Sequence, residues 1–216
     1  MRSLQQVLAG FVVFGSCMML TVALAGAATI TYSASVSLTP TNWNNTLSFP
    51  QYNLDPACLK SICFEMNGHV EGAAKFESLD GNPATVAMNL QSTITLSRPD
   101  NTPLVTVIPL ANTSDNVTAF DGVIDFGGTS GRTYTGLSGN ASDTKCTTAP
   151  ADLALFSGTG NIVLPIVATG TSYGSGAGNL ILQFSTSASA GATVTYTYDC
   201  STPASDSTWG RIKTLF

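Results

Sequence analysis

FESLDGNPATVAMNLQSTITLSRP, residues 76–99, reads as a strand, a turn and a long second strand, a hairpin in outline. Asp80-Gly81-Asn82-Pro83 supplies the turn, because glycine reaches positive φ at little cost and proline cannot donate to a ladder. Beyond it Ala84, Val86, Met88, Leu90, Ile94 and Leu96 alternate with Thr85, Asn89, Gln91, Thr93, Thr95 and Ser97. A period of two means a sheet with one dry face and one wet face. Residues 84–97, at about 3.3 Å each, would run roughly 46 Å, so a bulge or bend is expected near Ser92.

The same alternation extends outward in both directions. Upstream, 59–79 keeps Ile62, Phe64, Met66, Val70, Ala74 and Phe76 in one parity, with Gly68 and Gly72 as bulge points. Earlier still, Ile30, Tyr32, Ala34, Val36 and Leu38 alternate with serines and threonines. Residues 39–45 read as a loop holding Trp43, and 47–54 as a short edge strand interrupted by Pro50. Downstream, 104–110 is a short strand, and 111–146 is the least regular stretch, with a strand only near 132–137. Residues 152–156 suit one helical turn. Three closing strands follow at 162–168, 180–184 and 194–198, joined by 170–178 and 188–191. No segment sustains a 3.6-residue period. The chain is therefore all-β: an antiparallel β-sandwich of about eight to ten strands in a single domain over 28–200.

Composition bounds the function. Eight Lys and Arg against 13 Asp and Glu leave a net charge of −5, and no basic patch exists to hold a phosphate backbone. Nucleic-acid binding is set aside. Residues 1–27 carry Arg2, an apolar run from Val7 to Ala25, and small residues at Ala25 and Ala27, the pattern of a cleaved signal peptide. The run is long enough to span a membrane if left uncut. Once it is cleaved, no membrane span is expected, and the product is secreted or held at the cell surface. Cys17 leaves with the signal, and Cys58, Cys63, Cys146 and Cys200 are candidates for two disulfides with three connectivities. Cys58–Cys63 with Cys146–Cys200 is the simplest. If 58–63 is extended, however, its ends stand about 16 Å apart, so a local bond needs a turn around 59–61. Zinc is the weaker alternative, since the spacings are wrong and His69 is the only histidine.

Several stretches in this order resemble the choice-of-anchor E domain. They are Leu59 to Phe64, Phe76-Glu77-Ser78-Leu79-Asp80-Gly81, the threonine-rich strand closing Leu96-Ser97-Arg98-Pro99-Asp100, and Asn112-Thr113-Ser114. Further along come Phe120-Asp121-Gly122-Val123-Ile124-Asp125-Phe126-Gly127-Gly128, Asp152-Leu153 with Phe156-Ser157-Gly158-Thr159-Gly160, and Val194-Thr195-Tyr196-Thr197-Tyr198. The likeness spans about 30–198. It implies a bacterial exported or surface β-sandwich, found on relatives with differing C-terminal sorting signals, and it carries over no catalytic residue. The chain departs from those signals: a Ser/Thr/Pro linker starts at Ser201 and leads to Trp209-Gly210-Arg211-Ile212-Lys213-Thr214-Leu215-Phe216. This end is similar to Trp-Gly tails of some exported bacterial proteins. A helical turn would gather Trp209, Ile212 and Phe216 on one face, as a tag for sorting or anchoring machinery.

Reactive constellations are sparse. Gly170-Thr171-Ser172-Tyr173-Gly174 matches a nucleophile-elbow spacing, but β pattern follows instead of helix, so Ser172 is expected in a plain loop. His69 has odd parity and faces solvent. Asp121 and Asp125, with Asp115 nearby, could give oxygens to calcium, the one cofactor considered; a tight turn with satisfied carboxylates is the simpler reading. Trp43, Tyr52, Tyr134 and Tyr173 lie in or near expected loops, and Trp43 and Tyr173 are the candidates for stacking on a surface glycan. Asn44, Asn112, Asn116 and Asn140 stand in Asn-x-Ser/Thr sequons. The expectation is a non-catalytic, structural or adhesive surface or extracellular-matrix protein, with a carbohydrate-binding module as the alternative.

Overall fold

A computed structural model describes residues 27–200. Apart from Ala27, the signal-peptide segment lies outside the described residues, and so do the linker and tail at 201–216. Among the described residues ten strands form two antiparallel sheets. These are β1 (Ala28–Pro40), β2 (Trp43–Pro50), β3 (Leu59–Ser78), β4 (Ala84–Ser97), β5 (Pro103–Val107), β6 (Leu110–Val117), β7 (Gly131–Thr147), β8 (Asn161–Gly170), β9 (Tyr173–Ser175) and β10 (Leu180–Tyr198). A short 3-10 turn precedes β3, and α1 (Pro150–Leu155) sits between β7 and β8. One sheet runs β1-β10-β3-β7. The other runs β2-β8-β4-β5, with β6 and β9 also pairing β4. The all-β sandwich read from the alternation is the fold.

Long strands set the frame. In β4 Val86, Met88, Leu90, Ser92, Ile94 and Leu96 are all fully buried, so the parity never slips, and no bulge falls at Ser92. The neighbours break there instead. β6 and β9 flank residues 84–91 of β4, while β5 and β8 flank 92–97. Ser92 is the hinge of this exchange: its N–H donates to Pro109 O at 3.3 Å and its hydroxyl to Thr169 O at 3.1 Å. The two halves of the long strands accordingly line separate apolar clusters. Ile62, Phe64, Ile94, Leu164 and Tyr196 lie in the larger, and Ala74, Phe76, Val86, Met88 and Val117 in another.

Several expected boundaries move. β3 and β4 are not a hairpin, because they belong to different sheets and the 79–83 turn crosses between layers about 10 Å apart. Asp80 ties this crossing down, accepting from Gly178 N at 2.7 Å and, through its carbonyl, from Phe120 N. The last two closing strands fuse into β10, which pairs β3 without interruption from Leu180 to Thr197 and carries the ladder through 188–191. The stretch 111–146 holds two strands. The polar run 112–116 lies in β6, where Ala111 and Val117 are buried, Thr113 and Asp115 between them are half-buried, and Leu110, Asn112, Ser114 and Asn116 face solvent. Trp43 opens β2 and is not in a loop.

Glycine marks one real irregularity of the pair expected in β3. The register with β7 shifts between Gly72 and Ala74, whereas Gly68 lies in unbroken register. A Cβ on Gly72 would come 1.9 Å from the backbone oxygen of Ser185 on β10. Backbone cannot swing aside as a side chain can, so Gly72→Ala is expected to cost about 1–3 kcal/mol. A thermal melt within a degree of the parent would show that the strands part freely.

The disulfide connectivity corrects the simplest sequence choice. Cys63 lies inside the extended β3, so it cannot reach Cys58. It bonds Cys146, its register partner on β7, with Cα atoms 4.0 Å apart. Cys58 bonds Cys200, at 4.8 Å between Cα atoms, just beyond the end of β10.

Candidate functional site

Because the even residues of β4 face the core, Thr93, Thr95 and Ser97 face outward. Thr169 and Val167 of β8 stand opposite Thr93 and Thr95 in register, and Pro165 of the same strand stands opposite Thr46 of β2. Two adjoining shallow depressions, of about 580 and 510 Å³, open on this face and share Asn101, Pro165 and Val167. Asn44 and Thr46 of β2 close one side. Asn101 is presented by the β4–β5 turn at φ 67°, a conformation asparagine tolerates, with Asn101 N donating to Arg98 O. Beside it Asp100 accepts from Thr102 N at 2.9 Å, and that backbone bond holds its carboxyl below the usual range. No charged side chain lines either depression. The face offers hydroxyls, amides and small apolar patches.

The residues singled out in the sequence do not converge. Trp43 lies opposite Ala168, which is fully buried, and its indole N–H donates to Ala188 O at 3.2 Å. Tyr173 is 51% exposed and lies opposite Asn89, on the outer face of β4. Directly paired residues share a face, so the register puts these rings on opposite sides of the sheet, and they make no common stacking platform. Tyr52 is buried against Tyr196 and Tyr198. Tyr134 donates to Asp115 across β6 and β7. Asp115 is thereby committed away from Asp121 and Asp125. Asp121 instead accepts from Val123 N and Thr129 N, and those backbone bonds lower its pKa; Asp125 accepts from Gly127 N at 2.8 Å. Among the described residues no three His, Cys, Asp or Glu side chains gather as a metal-holding group.

Ser172 lies between β8 and β9 with no helix after it. Its hydroxyl donates to Gln91 O and accepts from Gln91 N, latching the turn to β4. His69, on the outer face of β3, shares a hydrogen bond with Asn140 at 2.9 Å. The group that sequence reasoning missed is Glu77. It has the outward parity of β3, yet it is fully buried because 120–130 folds over it. Its carboxyl accepts from Phe126 N at 2.8 Å and from the Ser130 hydroxyl at 2.6 Å.

Three tyrosines shed their protons late. Burial first, then the Asp115 contact, pushes Tyr134 up to about 12; burial also raises Tyr196 and Tyr52. A folded-state value above the unfolded one means that the folded protein holds these protons more tightly. The stability involved is whole below pH 10 and is lost as pH climbs through about 12. Phenolate absorbance should therefore show a late-titrating group that Tyr134→Phe diminishes. A titration complete near pH 10 in the folded protein would contradict this.

No family model matches the sequence, and neither does any curated protein. Solved structures that it resembles include the VP2 subviral particle of infectious bursal disease virus, at 15% identity and TM-score 0.23, with 80% of this chain and 38% of that one covered. Another is the Gx strain of the same virus, at 16% identity and TM-score 0.20, with 83% and 37% covered. The chain thus spans well under half of those proteins. At TM-scores this low the likeness adds nothing to the architecture described above.

Proposed function

We propose that this chain is a non-catalytic, exported β-sandwich of the bacterial cell surface or extracellular matrix, with a structural or adhesive role. The observation that carries the reading is the pair of disulfides, Cys58–Cys200 and Cys63–Cys146, a bond type that forms and persists in oxidising compartments. The shallow, uncharged outer face of β4 and β8 supports it, being suited to broad weak contact more than to enclosing a substrate. The choice-of-anchor E resemblance and the signal-like 1–27 agree with it, and the tail at Trp209–Phe216 is the proposed handle for sorting machinery.

Fractionating the producing cells is the test. Oxidised protein is expected on the surface or in the matrix, and a chain lacking 209–216 is expected in the medium. Reduced protein retained in the cytoplasm would overturn the reading; unchanged surface retention without the tail would remove only the sorting tag. The second reading, a neutral-glycan-binding module, rests on the hydroxyl-lined depressions and the exposed Tyr173. No binding on a glycan array would remove it, and binding that survives both Tyr173→Ala and Val167→Lys would take the glycan away from this face.

A further inference from the structure

Strand β1 ends its sheet, and among the described residues nothing pairs its outer edge. Its register with β10 is regular from Ala28 to Val36, nine residues or roughly 30 Å, before the ladder shifts between Val36 and Thr39. An edge of this kind is a row of free N–H and C=O groups, a template for another strand unless charge, proline or a bulge guards it. Over 28–36 no charge, proline or bulge guards it; the ladder shift after Val36 and Pro40 lie beyond this stretch. No Asp, Glu, Lys, Arg or His occurs between Ala27 and Leu54, in a chain with 21 charged residues (8 basic and 13 acidic). That interval also contains β2, the edge strand of the opposite sheet, so neither strand of this flank carries a charge.

The far edge of the same sheet differs. β7 carries Arg132, Asp143 and Lys145, and Gly136 breaks its conformation at φ 66° beside the Gly72 register shift. One edge is guarded and the other is open.

We propose that β1 is a self-association edge, where a second copy of this chain adds its own β1 in antiparallel pairing and joins two four-stranded sheets into one of eight. A two-fold axis at Tyr32 sets Ala28 against Val36, Thr29 against Ser35, Ile30 against Ala34 and Thr31 against Ser33. Hydroxyls then meet hydroxyls on the outer face, and apolar groups meet apolar groups on the inner one. β10 already treats this strand so: Thr195 and Thr193 meet Thr31 and Ser33 at 3.1 and 2.9 Å. Because β1 pairs with β1 about a two-fold axis, the contact is isologous and closes at a dimer instead of running on as a fibre. This inference stands apart from where the protein resides.

Sedimentation of the protein as purified after export is the test, on the parent, on T31K/S33K, on T31E/S33E and on an equimolar mixture of the two variants. The parent is expected to be a dimer. Each variant sets like charges opposite each other twice and should dissociate about tenfold more readily, and the mixture should regain the dimer. A second readout needs no substitution: amide protection across 28–36 should rise with protein concentration. A parent that stays monomeric with protection independent of concentration overturns the proposal. So do charged variants that dimerise as tightly as the parent, which would place the contact elsewhere.

Discussion

Replacing Cys58 and Cys200 together by serine is expected to cost about 3–5 kcal/mol of folding stability, and replacing Cys63 and Cys146 about as much. The sequence separations are 142 and 83, so each bond closes a large share of the chain into a loop. In the loop-closure account that size corresponds to about 4.5–5 kcal/mol removed from the unfolded state, and the two differ by only a few tenths because the dependence is logarithmic. Position should then separate them. Cys58–Cys200 clamps the end of β10 to the start of β3, where Asp199 N also donates to Cys58 O at 2.9 Å. Its loss should let Tyr198 and Tyr196 exchange their amides sooner than the middle of the strand. Cys63–Cys146 ties β7, an edge strand, to β3, and its loss should free that edge instead. Urea unfolding of oxidised parent and double-serine variants measures this directly. The slope should rise in the variants as well, since the uncrosslinked unfolded chain exposes more surface. A change below about 1 kcal/mol for either pair would mean that the sheets already hold those ends without help.

The fold was legible because each long strand announces itself by parity. β3 and β4 can be read almost residue by residue from alternation, the buried Glu77 and Ser78 at the end of β3 excepted; in β1 the alternation holds, but only Val36 is buried and Leu38, of the expected apolar set, is exposed. What alternation cannot convey is which strand lies beside which. The hydroxyl face is built from Thr93 and Thr95 of β4 and Val167 of β8, neighbours in space but more than 70 positions apart, and only the register brings them together. The same gap hid the disulfide pairing. Cys63 and Cys146 look unrelated until β7 is laid against β3. β6 failed for another reason: Asn112, Ser114 and Asp115 have weak strand preference, and pairing with β4 overrides it. The tyrosine and aspartate candidates were chosen as loop residues, and the sheets absorbed Trp43, Tyr52 and Tyr134 into local packing or hydrogen bonding. Glu77 was the least legible. Its parity says solvent, and nothing within ten residues of it says otherwise.

Glu77→Ala is therefore expected to act far beyond its own position, at a cost of about 2–4 kcal/mol. The fully buried carboxyl is the acceptor for both Phe126 N and the Ser130 hydroxyl, so removing it strands two donors away from water. Phe126 sharpens the case. It is a non-glycine residue at φ 58°, a conformation worth of order 1 kcal/mol of strain that surrounding bonds must hold. Besides Glu77, its backbone is held by Thr133, whose hydroxyl donates to Phe126 O at 3.0 Å, and the Lys75 ammonium sits 5.9 Å from its ring. With Glu77 gone, Phe126 can relax, and the cover over β3 loosens from Phe120 to Gly131. Glu77→Gln keeps one acceptor at nearly the same volume and should fall between parent and alanine. Gly131→Ala attacks the same contact from the other side, since a Cβ there would stand 2.3 Å from Glu77 Oε2. Two readouts test the chain of cause: the urea midpoint should fall in the order parent, glutamine, alanine, and the Phe126 amide should lose exchange protection while those of β10 keep theirs. An alanine variant within 0.5 kcal/mol of the parent, with Phe126 still protected, would show that the loop is held by its own turns and that the buried carboxyl is a passenger.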